Sequence, residues 1–216
     1  MTNSAHYYVT FLRHGESVGN QENRFQGQAD FPLTDKGREQ ARALAARWKS
    51  ENVTFDRCFT SPLLRARETA EIVTAALGVP LEADPLWMEM DNGRMAGLRD
   101  DEIDWDPPKF LTPYTRFGET GESRLEVYLR AGRGIQSILD RAPGRCLVVS
   151  HGGILNMAMY SILSIAPQAH HHGPRFWFRN TTFADFAYDP EWHNWRLLRF
   201  DRSHWDASHP SSALLP

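Results

Sequence analysis

Residues 7–17 read YYVTFLRHGES, an apolar strand-like run that leads directly into an arginine, a histidine and a glycine. A second apolar run, residues 146–150, leads into a histidine and two glycines. Ligands bind at the carboxyl ends of strands in open α/β sheets, so we expect His14 and His151 to project into one shared pocket. A glycine-opened turn that carries Arg13 beside a histidine is suited to holding an anion.

Strand-like and helix-like stretches alternate along the chain, a pattern that favours an α/β fold with parallel strands. The predicted strands are residues 7–12, 56–60, 145–150, 182–188 and 195–200. The predicted helices are residues 35–50, 62–77, 122–139 and 152–163. We expect the last two strands to pair as a hairpin, because turn-forming residues separate them.

Capping signals predict where the helices begin and end. Thr34 is the expected N-cap of the first helix. For the second helix, Ser61 is the expected N-cap and Pro62 the first helical residue. Gly78 is a typical stop for that helix.

One stretch, residues 99–117, has neither strand nor helix periodicity and is predicted to be a lid or insertion. The tail after about residue 202 is expected to fray. No repeat or linker divides the sequence, so residues 1–216 are predicted to form a single domain. Such a length suffices for a sizeable core.

The composition excludes several classes of protein. The net charge is −3 with mixed signs, so no basic field for nucleic acid or an anionic membrane is present. Cys58 and Cys146 lie in apolar strand-like runs, which makes a disulfide framework unexpected. No signal-peptide pattern precedes Arg13, and the longest apolar segment, residues 152–166, is too short to span a bilayer. We therefore expect a cytoplasmic protein; assembly as a homodimer is left open.

Short motifs spread over most of the chain resemble those of the histidine phosphatase superfamily, which includes cofactor-dependent phosphoglycerate mutases and fructose-2,6-bisphosphatase. In chain order, these motifs are RHGES at 13–17, Asn20, Gln26-Gly27, Asp30, PLT at 32–34, Gly37, SPL at 61–63, Arg65, ETA at 68–70, Glu89, GES at 121–123 and SHGG at 150–153. The resemblance implies a three-layer α/β/α sandwich with a mostly parallel central sheet and a lid insertion. It also implies a phosphoric monoester hydrolase of the histidine acid type, in the phosphatase branch.

Phosphoryl transfer needs a nucleophile, clamps for the phosphoryl oxygens and an acid for the leaving oxygen. His14 is the expected nucleophile, because one ring nitrogen of a neutral imidazole attacks while the other fixes the tautomer. Arg13 and Arg65 are the expected clamps, since planar guanidinium groups match phosphate oxygens. We expect His151 to donate to the same phosphoryl group, with its charged form favoured by the anion.

The resemblance makes Glu89 the general acid and base, which has to be protonated when it meets the leaving oxygen. Asp91 and Glu16 are weaker candidates for that role, and a solvated loop carboxylate is the structural alternative for Glu89. The remaining expected phosphate-binding residues are Asn20, Gln26, Gly27 and Gly152. A role as helix cap or turn former is an equal alternative for the first of these.

This scheme needs no cofactor and no metal ion, because the arginines and the second histidine supply the charge that Mg²⁺ provides elsewhere. The run of histidines at 170–172 is interpreted as a solvated loop, since three consecutive side chains cannot face one centre. The aromatic residues at 176–178 are interpreted as core and sheet packing.

The departures from the family pattern concern the substrate. Met95 and Ala96 replace an aromatic residue and a glutamate, and residues 90–92 do not reproduce the extended mutase signature. These differences favour a phosphatase of small phosphorylated metabolites over a phosphoglycerate mutase. A non-catalytic domain that senses a phosphorylated ligand is the alternative from another class. The acidic lid, with Trp105, Phe110 and Tyr114, is expected to repel highly anionic substrates and to stack on an apolar or sugar group.

Overall fold

The structure, a computed structural model, describes residues 6–103, 112–169 and 173–201. Within these residues one sheet is built from the strands β1 (Tyr7–Arg13), β2 (Arg57–Thr60), β3 (Leu81–Ala83), β4 (Gly144–Ser150), β5 (Phe183–Asp189) and β6 (Asn194–Asp201). The α-helices are α1 (Val18–Gln21), α2 (Asp35–Ser50), α3 (Leu64–Leu77), α4 (Arg124–Leu139) and α5 (Gly152–Ile162).

The strand order in the sheet is β3-β2-β4-β1-β5-β6. The first four strands of this order are mutually parallel, whereas β5 is antiparallel to β1 and β6 is antiparallel to β5. The predicted mostly parallel sheet and the predicted terminal hairpin are both confirmed. The hairpin extends the sheet beyond β1, so β1 and β4 lie in the centre.

Apolar residues on the two faces of the sheet pack against different helices. Val9 and Phe11 of β1 belong to a core that includes residues of α4 and α5. Leu12 of the same strand belongs to a second core with residues of α2 and α3. Alternate side chains of a strand point to opposite faces, so β1 contributes to both cores. The three-layer α/β/α architecture is therefore confirmed.

Local capping predicted one helix start correctly and another incorrectly. The hydroxyl oxygen of Thr34 accepts a hydrogen bond from Gly37 N over 3.0 Å, as an N-cap should. Ser61 was the expected N-cap of α3, but this helix begins at Leu64, and the cap position has no side-chain hydrogen bond of its own. Asp30 Oδ1 instead accepts from Leu64 N over 2.7 Å. Ser61 Oγ accepts from Leu63 N over 3.2 Å, ahead of the helix, so the first N–H of the helix itself is capped by a carboxylate from a distant loop.

The predicted lid is only partly described. A short 3₁₀ turn covers Asp100–Glu102, and Tyr114 is 71% exposed. Trp105 and Phe110 lie outside the described residues, as do the histidines at 170–172 and the tail from 202 onward. Among the described helices, none is long and apolar enough to cross a membrane.

Both cysteines lie where the apolar pattern predicted them. Cys58 is in β2 and Cys146 is in β4, and both thiols are free and buried. Burial raises the pKa of Cys146 to about 12, so this thiol is protonated and unreactive at neutral pH.

Candidate active site

The two predicted histidines meet where β1 and β4 end side by side. Arg13 pairs with Ser150 in the parallel register, and His14 N donates to Ser150 O over 2.9 Å. The ring centroids of His14 and His151 are 5.1 Å apart. The shared pocket expected from the strand ends is therefore present in the fold.

The ring of His14 is fixed in one tautomer. Its Nδ1 lies 2.6 Å from Gly15 O, and a carbonyl oxygen only accepts, so Nδ1 carries the proton. Burial lowers the pKa of His14 well below its ordinary value, and the charges of Arg13 and Arg65 lower it further. The imidazole is therefore neutral at pH 7, with a lone pair on Nε2. This is the state that a nucleophilic histidine needs.

The turn after His14 is packed closely against the start of α2. A Cβ atom at Gly15 would collide with the carbonyl oxygen of Gly37. Gly15 N donates to Thr69 Oγ1 over 3.0 Å, and Glu16 N donates to Gln40 Oε1 over 2.8 Å. The RHGE turn is thus held by two helices, α2 and α3, and its glycine is required by the close approach of two backbones.

Arg65 lies in the first turn of α3 and is 1% exposed. Its Nη1 donates to Ala29 O over 3.0 Å and its Nη2 to Gly27 O over 2.7 Å. Burial lowers the pKa of Arg65 to about 10, which still leaves the guanidinium charged at neutral pH. Gly27, an expected phosphate ligand, therefore positions the Arg65 clamp through its carbonyl.

Arg13 approaches the same pocket from the end of β1. Its Nη1 donates to Phe178 O over 2.6 Å. Burial lowers the pKa of Arg13, and the negative charge of Glu89 raises it. Backbone carbonyls thus orient the guanidinium groups of both Arg13 and Arg65. In each of the two, the buried Nε has no partner among the described residues. Such orphaned donors are rare in native structures and indicate a ligand site.

His151 is fully buried, and neither of its ring nitrogens has a partner within the described part of the chain. Burial lowers the pKa of His151 well below its ordinary value, and the positive charge of Arg65 lowers it further. The charged form expected for this histidine is therefore not favoured by the protein groups. With its orphaned ring nitrogens, it is suited to donating one hydrogen bond to a phosphoryl oxygen in its neutral form.

Glu89 lies at the N-terminus of α5. Its carboxylate accepts hydrogen bonds from Gly153 N at 3.0 Å, from Ile154 N at 2.9 Å and from Met90 N at 2.8 Å. Backbone N–H groups at a helix start stabilise a carboxylate there. Glu89 is thus fixed at the pocket wall, and the alternative of a solvated loop carboxylate does not match these contacts.

The two weaker candidates for the acid are held elsewhere. Asp91 Oδ1 accepts from Gly93 N over 2.9 Å within its own turn. The carboxylate of Glu16 accepts from Thr34 Oγ1 at 3.0 Å and from Lys36 Nζ at 2.7 Å, at the start of α2. Glu89 alone of the three lines the cavity beside Arg13.

Gly152 is the first residue of α5, and its N–H belongs to the helix start, where no carbonyl of the helix can accept it. The next two N–H groups of the helix are taken by Glu89. The Gly152 N–H is therefore the group of this helix start that remains for a phosphoryl oxygen.

Asn20 and Gln26 are mainly engaged with the protein itself. Asn20 Oδ1 accepts from Ser17 N at 3.2 Å, a contact that completes a capping box on α1. The same oxygen also accepts from Asn180 Nδ2 at 3.1 Å. Gln26 Oε1 accepts from Ser17 Oγ at 2.7 Å. The capping alternative for Asn20 is therefore present in the structure, and only the side-chain nitrogens of these two amides remain for a ligand.

Sequence reasoning missed one residue that supports the acid. Arg130 of α4 donates to the carbonyls of Leu86, Met88 and Glu89 at 3.0, 2.6 and 3.2 Å. Its Nε and Nη2 also donate to the carboxylate of Glu122 at 2.8 and 2.6 Å. Nothing in the local sequence distinguishes this arginine from its exposed neighbours on the helix, because the carbonyls that it binds lie 41 to 44 residues earlier in the chain.

A cavity of about 300 Å³ extends from Arg13 and Glu89 along the start of α5. Phe176, Trp177 and Phe178 line it. The prediction of core packing is right for Phe178, which is 4% exposed, and wrong for Trp177, which is 58% exposed. The loop that carries these residues turns over the start of α5, so the indole faces the cavity and solvent. Among the described residues, no group of three or more His, Cys, Asp or Glu side chains could hold a metal ion.

The sequence profile of the histidine phosphatase superfamily (branch 1) matches residues 9–201. The chain belongs to the histidine phosphatase superfamily.

Similar histidine phosphatase relatives carry different names. "Probable phosphoglycerate mutase GpmB" of Cronobacter sakazakii is 38% identical over 168 residues, which cover 74% of this chain and 77% of that protein. The solved structure of Bacillus stearothermophilus YhfR aligns with a TM-score of 0.77 at 32% identity, over 89% of this chain and 95% of that one. A mycobacterial glucosyl-3-phosphoglycerate phosphatase aligns with a TM-score of 0.77 at 25% identity, over 91% and 100% of the two chains.

Proposed function

We propose that this protein is a phosphomonoesterase that acts on small phosphorylated metabolites through a phosphohistidine at His14, without a metal ion. The observation that carries the proposal is the hydrogen bond from His14 Nδ1 to Gly15 O, which leaves Nε2 as the nucleophile. The orphaned nitrogens of Arg13, Arg65 and His151 around it support the proposal, because a phosphoryl group supplies the acceptors that they lack.

In the first half-reaction, His14 Nε2 attacks phosphorus and the bond from phosphorus to the ester oxygen breaks. Arg13, Arg65 and His151 hold the phosphoryl oxygens and stabilise the charge that develops on them. Glu89 gives a proton to the leaving oxygen, which departs as an alcohol.

In the second half-reaction, the Glu89 carboxylate takes a proton from a water molecule whose oxygen attacks phosphorus. The bond from phosphorus to His14 Nε2 breaks, and orthophosphate leaves. His14 is then neutral again and Glu89 is protonated, so the cycle closes without any other reactant.

The alternative of a phosphoglycerate mutase is favoured by the name of the Cronobacter sakazakii relative at 38% identity. The phosphatase is favoured by the name of the mycobacterial structure and by the departure of residues 90–92 from the mutase signature. A mutase would isomerise phosphoglycerate only with a bisphosphoglycerate primer. A phosphatase would release orthophosphate without one.

The test is turnover of para-nitrophenyl phosphate across pH, with EDTA present throughout. The wild type should turn over, and His14→Ala should lose at least about 1,000-fold in kcat, as removal of a catalytic nucleophile does. His193→Ala is the matched control, because His193 is exposed on the hairpin turn. Activity that rises towards acid pH would indicate a phosphatase of the histidine acid type.

Two results would overturn the proposal. Full dependence on an added metal ion would contradict the metal-free step, and an active His14→Ala would contradict the phosphohistidine. A wild type that binds phosphate but turns over neither para-nitrophenyl phosphate nor a panel of phosphorylated metabolites would instead be a phospholigand sensor.

A further inference from the structure

Of the proposed catalytic groups, Arg13 and Glu89 line the cavity of about 300 Å³. Beyond Arg13 and Glu89, its lining includes two further arginines, Arg124 and Arg175, beside Trp177. The mechanism proposed above uses none of these three side chains. A substrate phosphoryl group held at His14 would direct its leaving group into this part of the cavity, because Glu89 must reach the leaving oxygen there.

Arg124 is the first residue of α4, and its Nε is buried without a partner among the described residues. Burial lowers the pKa of Arg124, the neighbouring Tyr160 hydroxyl raises it, and the positive charge of Arg175 lowers it. The two guanidinium groups therefore lie close enough to repel each other. Within the described part of the chain, no carboxylate forms an ion pair with either arginine. Two neighbouring cations without a carboxylate partner among these residues favour binding of an anion.

The loop that carries Arg175 is anchored to α5. Asn156 Nδ2 donates to Phe176 O and Asn156 Oδ1 accepts from Phe176 N, both over 2.9 Å. Tyr160 on the same helix donates to Pro174 O over 2.6 Å. These three hydrogen bonds hold the loop along α5, so its side chains form a built wall of the cavity.

Trp177 provides the apolar surface of that wall. The guanidinium carbon of Arg175 lies 5.1 Å from the Trp177 ring centroid, a cation–π arrangement that orients both side chains. The indole is 58% exposed, although large aromatic side chains usually bury most of their surface. An exposed ring next to two cations can cover the carbon skeleton of a small anionic ligand.

We propose that Arg124 and Arg175 bind a second anionic group on the leaving group of the substrate, a carboxylate or a second phosphate, while Trp177 covers the carbon skeleton that joins it to the reacting phosphate. The inference rests on the proposed phosphomonoesterase function and names its substrate class. It reverses the expectation, drawn from the acidic residues of the lid, that highly anionic substrates are repelled.

The experiment compares phenyl phosphate with 4-carboxyphenyl phosphate and 1,4-phenylene bisphosphate. For each enzyme, the measured quantity is the ratio of kcat/KM for an anionic substrate to kcat/KM for phenyl phosphate. Arg124→Gln and Arg175→Gln should each lower that ratio about 10- to 100-fold, the effect of losing a hydrogen bond to a charged group. The exposed Arg133 on the same helix supplies the matched control, Arg133→Gln, which should leave the ratio unchanged.

The two substituted substrates distinguish the two anions, because the ratio that falls more identifies the group that the arginines bind. A ratio that is unchanged in both variants would overturn the proposal. The same holds if kcat/KM falls equally for all three substrates, because the ratio then stays the same. Arg175 is exposed, so Arg175→Gln decides the question even if substitution of the more buried Arg124 impairs folding.

A binding measurement separates this inference from the proposed catalysis. Calorimetric titration of His14→Ala should show tighter binding of 4-carboxyphenyl phosphate than of phenyl phosphate, and the added substitution Arg175→Gln should remove the difference. If the wild type turns over no ester but this difference persists, the catalytic proposal fails while the anion subsite stands. If the wild type turns over and no difference is seen in binding or in the kinetic ratio, the subsite fails alone.

Discussion

The rings of His14 and His151 are 5.1 Å apart between centroids and 59° apart between planes, at the ends of two neighbouring parallel strands. The His14 ring donates to Gly15 O, whereas the His151 ring has no hydrogen-bond partner among the described residues. The two histidines are therefore equivalent in burial but different in role. In the proposed mechanism, His14 is the nucleophile and His151 donates its one ring N–H to the phosphoryl group under attack.

Loss of the second histidine should weaken the transition state. We expect His151→Ala to lower kcat about 100- to 1,000-fold, because one donor to the developing charge is lost. His151→Gln should retain more activity than His151→Ala, since its amide still donates. Steady-state kinetics with para-nitrophenyl phosphate measure both, and wild-type kcat in His151→Ala would contradict the role.

The buried histidines should make the protein less stable in acid. Burial lowers the pKa of His14 and of His151 well below 6.5, so the unfolded chain binds more protons than the folded one below that pH. The free energy of unfolding should therefore fall as the pH falls from about 6.5 to 5, by up to about 1.4 kcal/mol per pH unit for each histidine. Urea titrations at several pH values measure the slope.

The control for this slope is the exposed His193. His193→Gln should leave the pH dependence of unfolding unchanged, whereas His14→Asn should reduce it. A wild-type stability that is flat over this pH range would show that the two buried imidazoles do not stay neutral.

The leaving group should reveal which carboxylate is the acid. Glu89→Gln should lower kcat about 100- to 10,000-fold with an alkyl phosphate, because the departing alkoxide needs a proton. With para-nitrophenyl phosphate the loss should be smaller, since para-nitrophenolate leaves without one. Asp91→Asn is the comparison, and we expect little change in its leaving-group dependence. A larger effect at Asp91 than at Glu89 would exchange their assignments.

Arg130 should act by positioning the segment that carries the acid. It binds three carbonyls of residues 86–89 and the carboxylate of Glu122, so Arg130→Met should displace Glu89. We expect kcat to fall about 100-fold with little change in KM, because a small misplacement of a catalytic group has that cost. The pH profile should shift with it, which a merely structural role would not produce.

The control for Arg130 lies on the same helix. Arg133 is exposed, and Arg133→Met should leave kcat and the pH profile unchanged. Arg130→Lys should restore part of the activity, since one ammonium group replaces some of the lost donors. Equal kcat in Arg130→Met and Arg133→Met would refute the positioning role.

Alanine substitutions at two glycines of α4 should change the free energy of unfolding in opposite directions. A Cβ at Gly134 would lie 2.9 Å from the buried Trp87 ring, whereas a Cβ at Gly132 would have only Ser161 Oγ at 3.4 Å. Gly132→Ala should stabilise by about 0.5–1 kcal/mol through helix propensity. Gly134→Ala should destabilise, because overpacking of about 1–3 kcal/mol outweighs that gain. Denaturant unfolding of both variants, compared with wild type, tests the signs.

Elements with local signals were predicted closely. The strand expected at residues 7–12 is Tyr7–Arg13, and the helix after Thr34 ends at Ser50, as expected. The start of α3 was predicted wrongly, because its first free N–H group is capped by Asp30 rather than by Ser61. A serine followed by a proline is a sound local signal, and Ser61 does accept from Leu63 N, but the helix begins one residue later, where a distant carboxylate accepts from Leu64 N.

The amino-acid sequence by itself determined the layered α/β fold and pointed to His14, Arg13, Arg65 and His151 as candidate site residues, because periodicity, caps and short motifs can be recognised in the sequence alone. Only the tertiary structure decided the lowered pKa of His151, the anchoring of Glu89 on α5, the contacts of Arg130 and the presence of Arg124 and Arg175 in one cavity wall. Each of these depends on burial or on contacts between residues far apart in the chain. Such contacts exist only after the helices have packed on the sheet, and no local pattern encodes them.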